Sequence, residues 1–199
     1  MSLFMIDIVF ATGNRHKLRE VQDIIGPDFR LRTPDEFGIT EEIPETQDTL
    51  EGNALQKAEY INKKCGLPCF ADDTGLFTDA LGGEPGIYSA RYAGEGKNAS
   101  DNIKKLLANL KGKTNRKAHF RTVIAYVDAD RKELFEGRVD GVILDTLSGE
   151  GGFGYDPVFY PDRYDGKYSF AELSPAHKNE ISHRGEAVRK FAAFLRSNR

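Results

Sequence analysis

The feature that most constrains the fold is a short apolar run, residues 6–12, which passes through Gly13-Asn14 straight into a helical stretch, residues 17–25. In that stretch Leu18, Val21, Gln22 and Ile25 recur at the three-four spacing of one helix face. A strand that feeds a helix across so tight a turn is the opening of a layered α/β arrangement. Leu50, Ala54, Ala58 and Ile61 mark a second helix, started by Asp48 or Thr49. After Pro68 a short strand, residues 69–71, delivers Asp72-Asp73 at its C-terminal end, and a third helix over residues 101–110 follows Ser100 as its cap. Two long strands come next, 118–128 and 132–144; in the latter Phe135, Val139 and Ile143 alternate with Glu136, Arg138 and Asp140. Val188, Phe191, Ala192 and Leu195 define a last amphipathic helix. Early alternation of helix and strand, with a hairpin-like pair in the middle, predicts an α/β fold with a mixed rather than purely parallel sheet. No repeat, low-complexity tract or Pro/Ser-rich linker divides the 199 residues, so one domain is expected.

The charge balance narrows the function classes. A net charge of −3 disfavours non-specific nucleic-acid or anionic-membrane binding, which needs a basic surface. No apolar run approaches the roughly 18–20 residues that span a bilayer. The first ten residues show neither a basic region nor a small-residue cleavage site, so the expected location is the cytoplasm. Cys65 and Cys69 cannot complete a tetrahedral zinc site alone and have no histidine pair near them; they read as reduced, partly buried thiols flanking a turn.

Polar and glycine-rich segments recur where strands end, which is where open α/β sheets collect ligands. Thr12, Gly13, Asn14, Arg15, His16 and Lys17 form a strand-to-helix turn, and a helix N-terminus beside a lysine is a phosphate cradle, though without Walker-loop spacing. Asp72-Asp73-Thr74-Gly75 places two carboxylates side by side, an arrangement that a cation relieves; Asp-Thr-Gly is equally good turn chemistry. One or two carboxylates, with water and substrate phosphate, are the usual ligands of Mg²⁺, and Glu45 could add another. Asn53 and Lys57 share a helix face, read as lying away from the apolar stripe and as solvated. In the stretch 151–157, Gly151, Gly152 and Gly154 permit close backbone approach to a flat ligand, on which Phe153 or Tyr155 could stack. His183 and Arg184 follow the capping Ser182, so they stand in the first helical turn, where the macrodipole repels cations and a bound anion would reverse the sign.

In this order the segments resemble one family over nearly the whole chain, the inosine triphosphate pyrophosphatases, also termed HAM1-like. The resemblance is carried by Ala11-Thr12-Gly13-Asn14 with Lys17, Glu45-Thr46, and Asn53-Ala54 with Lys57-Ala58. It continues through Ala71-Asp72-Asp73-Thr74-Gly75-Leu76, Pro85-Gly86-Ile87-Tyr88-Ser89-Ala90-Arg91-Tyr92, the stretch 152–157, and Ser182-His183-Arg184. It implies an elongated mixed sheet flanked by helices, two lobes around a cleft within one domain, and a homodimer. It also implies Mg²⁺-assisted hydrolysis of ITP, dITP and XTP to monophosphate and pyrophosphate. By the resemblance, residues 12–17 and Lys178 hold the triphosphate. Asp73 is the catalytic proton acceptor and a metal ligand, Glu45 and Asp72 support the metal, and Thr74 contacts substrate. Phe153, Gly154, Tyr155 and Asp156, with His183 and Arg184, form the base pocket. The chain departs from the family pattern at Gln47, where glycine is common, and at Gly52, where glutamate is common; the second departure removes an acid beside Asn53. A non-catalytic nucleotide-binding module and a pyrimidine-directed pyrophosphatase are the rival readings.

Overall fold

The computed structural model describes residues 6–198; residues 1–5, part of the stretch read for a secretory signal, and residue 199 lie outside the described residues. The strands are β1 (Ile6–Phe10), β2 (Phe29–Arg32), β3 (Cys69–Thr78), β4 (Pro85–Gly86), β5 (Lys117–Val127), β6 (Lys132–Ile143) and β7 (Phe159–Pro161). The α-helices are α1 (Arg15–Ile25), α2 (Leu50–Cys65), α3 (Ala99–Leu110), α4 (Pro175–Ile181) and α5 (His183–Ser197). The sheet runs β2-β1-β3-β5-β6-β7, with β4 paired to β3. β1 is parallel to both β2 and β3, whereas β4 on β3 and β7 on β6 are antiparallel, so the sheet is mixed as expected. Among the described residues no helix is long and apolar enough to cross a membrane.

The chain forms two compact units. Among the described residues the first comprises 6–73, Thr122–Gly137 and 184–198. Its core joins Ile8 and Phe10 of β1, Phe70 of β3, Val21 and Ile25 of α1, and Val188, Phe191 and Ala192 of α5. Phe10 and Phe70 stack with ring centroids 4.4 Å apart, and Phe191 meets Phe70 at 4.8 Å. Burying each such ring is worth about 1.5–3 kcal/mol, which is what seats α5 on the strands that carry the polar groups described below. The second unit comprises Thr74–Arg121 and Arg138–His183. Leu76, Ile103, Leu106, Phe120, Tyr155, Phe159 and Phe170 are part of its core.

Several elements differ from the sequence expectation. β3 does not stop at Ala71 but runs for ten residues in all, Cys69–Thr78, through Asp72-Asp73-Thr74-Gly75, so the two aspartates lie within a strand and not at its end. Gly75 serves close approach rather than a turn: a Cβ there would lie 2.7 Å from the carbonyl oxygen of Gly86 on β4. α3 begins at Ala99, and its cap is Asn98, whose side chain accepts from the Asp101 amide at 3.0 Å, not Ser100. α4, capped by Ser174 and opened by Pro175, has no counterpart among the elements expected from the sequence. A helix of seven residues is too short to show a periodic apolar face.

Candidate active site

In the first unit, β1 hands over to α1 as the sequence suggests, but the cap changes the chemistry of the turn. Asn14 Oδ1 accepts from the His16 amide at 2.9 Å and the Lys17 amide at 3.2 Å. Two of the N–H groups read as free for phosphate are therefore satisfied by the chain itself. Thr12 Oγ1 accepts from the Asn14 amide at 3.1 Å, and Gly13, Asn14, Arg15 and His16 are exposed. Lys17, one turn into α1, leans inward and donates to Asp72 Oδ1 at 3.0 Å.

Asp72 is buried and gripped from both sides. Its Oδ2 faces Arg184 Nε at 3.4 Å, and Arg184 Nη1 donates to Glu20 Oε2 at 2.5 Å. The order of charge is therefore Glu20, Arg184, Asp72, Lys17, alternating in sign. Burial opposes ionisation of Asp72, yet Lys17, Arg184 and Lys57 together hold its carboxyl well below the usual range. Arg184 was expected in a base pocket, with a bound anion explaining two cations at a helix start. The anions against it are Glu20 and Asp72, supplied by the protein.

Lys57 is 6% exposed, which overturns its reading as a solvated helix residue. The spacing explains the error: Leu50, Ala54, Lys57 and Ile61 follow steps of four, three and four, so Lys57 belongs to the inward stripe. Its ammonium donates to Glu45 Oε1 at 2.5 Å, to the Asp72 carbonyl oxygen at 2.8 Å and to Asp73 Oδ1 at 3.3 Å. Three donors meet three acceptors. Burial works against its charge, but Asp73, Glu45 and Asp72 outweigh that and raise its pKa. Burial lowers the pKa of Lys17, with Asp72 opposing.

Asp73 differs from its neighbour. Its Oδ2 is buried and accepts no hydrogen bond. Burial pushes its carboxyl above the ordinary range, against the pull of Lys57 and Lys17. A raised carboxyl pKa and an orphaned oxygen suit both a proton acceptor and a ligand to a hard cation. Glu45 is about one-third exposed and shares Lys57 with Asp73, so it can supply a second oxygen. Both oxygens of Asp72 already face cations. Among the described residues no cluster of three or more His, Cys, Asp or Glu side chains is arranged to hold a metal. Mg²⁺ commonly takes one or two carboxylates and fills its shell with water and phosphate, a number of carboxylates that Asp73 and Glu45 can provide.

The loop that carries Glu45 is tied to the start of α2. Thr46 N donates to Gln56 Oε1 at 2.9 Å, Gln47 N to Asn53 Oδ1 at 2.9 Å, and Gly52 N to Thr49 Oγ1 at 3.0 Å. Asn53, expected to be solvated, is buried in this role. A Cβ on Gly52 would lie 2.8 Å from Gln47 Cβ. The side chain of Gln47 thus fills the space that a side chain at 52 needs.

The second unit holds a separate polar cluster. Asp156 Oδ2 accepts from the Phe153 amide and from Lys178 Nζ, each at 2.7 Å, and the Lys178 ammonium lies 4.7 Å from the Phe153 ring centroid. A Cβ on Gly152 would fall 2.1 Å from Asp156 Oδ2, and its φ of 69° favours glycine as well. Phe153 and Gly154 are half-buried. Tyr155 is not available to stack on a base: it is buried in the core, and its hydroxyl donates to the Ser89 carbonyl at 2.8 Å. His183 is also buried, stacked on Phe120 at 4.6 Å and 12°. Thr74 follows Asp73 and is half-buried.

Sequence reasoning passed over Glu20 and undervalued Lys57. For Glu20 the sequence carries no signal, because its partner Arg184 stands 164 positions away. A sequence model of the Ham1 family matches residues 8–194. A dITP/XTP pyrophosphatase of Porphyromonas gingivalis is 52% identical over 192 residues, 96% of this chain and 98% of that protein. One of Flavobacterium johnsoniae is 47% identical, over 94% and 97% of the two chains. The solved structure of the Staphylococcus aureus Ham1 protein superposes with a TM-score of 0.88 at 42% identity, covering 97% of this chain and all of that one (100%).

Proposed function

The chain belongs to the Ham1 family, and from that premise we propose that it hydrolyses aberrant purine nucleoside triphosphates (dITP, XTP and ITP) to the monophosphate and pyrophosphate. The observation that carries the chemistry is Asp73: a buried carboxylate with a raised pKa, one oxygen on Lys57 and the other without a hydrogen bond. Water attacks the α-phosphorus, its proton passes to Asp73 Oδ2, and the bond to the bridging α–β oxygen breaks as pyrophosphate leaves. General-base assistance of this kind contributes about 10²–10⁴-fold. Lys57 keeps Asp73 oriented and partly offsets the effect of burial on it. Lys17 has donors beyond the one given to Asp72 and turns them to the phosphates.

Asp73 and Glu45 would hold Mg²⁺, which would supply charge neutralisation for the departing pyrophosphate. Asp72 acts in this reading as the anchor of Lys17 and Arg184 rather than as a ligand. By the resemblance, the loop 152–156 and Lys178 contact the nucleotide, and Phe153 is a half-buried aromatic suited to stacking on a base. A cytoplasmic homodimer completes the reading; the dimer rests on the resemblance and the location on the expectation from the sequence. Pyrophosphate release is measured from ITP, XTP, dITP, dTTP and the four standard triphosphates, with and without Mg²⁺. Turnover of the first three, dependent on the metal, is expected. Release of single phosphate, or a preference for dTTP, sinks the assignment.

A further inference from the structure

Outside the candidate active site, one pair of nucleophilic side chains stands together without a role. Cys65 closes α2 and Cys69 opens β3, and their sulfurs are 3.5 Å apart. The three residues between them form a pinned turn. Gly66 takes a φ of 68°, which a glycine adopts without strain, and its amide donates to the Asn62 carbonyl. The Leu67 carbonyl accepts from Asn62 Nδ2 at 2.7 Å and from the Cys69 thiol at 3.2 Å. The turn thus holds the two sulfurs in contact rather than leaving them to meet by chance.

The geometry points to Cys65 and Cys69 as a modification site, a dithiol that peroxide-class oxidants convert reversibly to an intramolecular disulfide. A disulfide needs the sulfurs at about 2.0 Å, so bonding asks for a side-chain adjustment of roughly 1.5 Å from the observed contact. The two thiols are unequal, which sets the order of events. Cys65 is half-buried and reachable, whereas Cys69 is fully buried, and burial drives its thiol pKa far up. The Cys65 thiolate is therefore the group that meets the oxidant. It attacks one peroxide oxygen, the O–O bond breaks, and the departing hydroxide is protonated to water, leaving a sulfenic acid. The Cys69 sulfur then attacks the Cys65 sulfur. The S–S bond forms, the S–O bond breaks, and hydroxide leaves with the Cys69 proton as a second water. Two electrons pass from the sulfurs to the peroxide, and an external dithiol reverses the step.

The product ties the end of α2, which carries Lys57, to the start of β3, which carries Asp72 and Asp73. The inference stands apart from the nucleotide chemistry. It is tested on the full chain with hydrogen peroxide, followed by thiol titration, intact mass and peptide mapping. Loss of both thiols together, a mass decrease of about 2 Da, a Cys65–Cys69 cross-linked peptide and full recovery with dithiothreitol are expected. Cys69→Ser should leave a sulfenic acid on Cys65 that dimedone captures, and Cys65→Ser should leave Cys69 unmodified at the same dose. Over-oxidation of Cys65 by about 32 Da without a bridge, survival of both thiols, or disulfide-linked dimers on a non-reducing gel would overturn it.

Discussion

The ammonium of Lys57 stands 3.3 Å from Asp73 Oδ1 while the other oxygen of the same carboxylate accepts no hydrogen bond. One side chain is thus fastened at a single corner and left with a buried, unsatisfied oxygen. Such a group costs stability and is retained where chemistry uses it.

Asp73→Asn should therefore lose activity and gain stability. An acid whose folded pKa is raised contributes stability below its unfolded pKa of about 3.9, and that contribution is lost as pH rises through the folded value. At neutral pH the ionised Asp73 is a liability that asparagine removes. We expect kcat to fall by about 10²–10⁴, with Tm raised at pH 7 and the gain shrinking toward pH 4. A Tm that drops at pH 7 would contradict the strained-carboxylate picture.

Lys57→Met removes the main cation holding down the Asp73 pKa. The carboxyl should titrate at still higher pH, so the acidic limb of the kcat/KM profile moves upward. Breaking a buried ion pair also costs about 3–5 kcal/mol, seen as a lower denaturation midpoint. An unshifted pH profile in the folded variant would leave Lys57 a purely structural role.

Gly52→Ala puts a Cβ 2.8 Å from Gln47 Cβ, an atom that moves only with its backbone. Overpacking of this kind costs about 1–3 kcal/mol and should push the loop carrying Glu45 off Lys57. Adding Gln47→Gly should restore both stability and the concentration of Mg²⁺ at half-maximal rate. Additive losses in the double variant would separate the two positions.

Tyr155→Phe removes the shorter of two hydrogen bonds to the Ser89 carbonyl, leaving Asn102 Nδ2 at 3.4 Å. The expected cost is about 1 kcal/mol in urea unfolding, with the ITP/ATP preference unchanged. A lost preference would return Tyr155 to the base pocket.

Much of this was legible beforehand. α5 announces itself because Val188, Phe191 and Ala192 are apolar at helical spacing and are buried. The candidate catalytic carboxylate lies in the Asp72-Asp73 pair, a local juxtaposition that any reading meets. The polar helix α4 and the strand course of residues 72–75 were not legible, since seven residues show no periodicity and paired aspartates resemble a turn until their counter-charges are known.

Determined by the sequence alone, then, were α1, α2, α3 and α5 with β1, β5 and β6, because periodic burial and capping are written within a few neighbouring residues. Only the tertiary structure decided which charges sit inside and what each one faces. Lys17 reaches Asp72 across 55 positions and Arg184 reaches it across 112. A buried charge is tolerable only against its partner, and that partner is brought near by folding rather than by order along the chain.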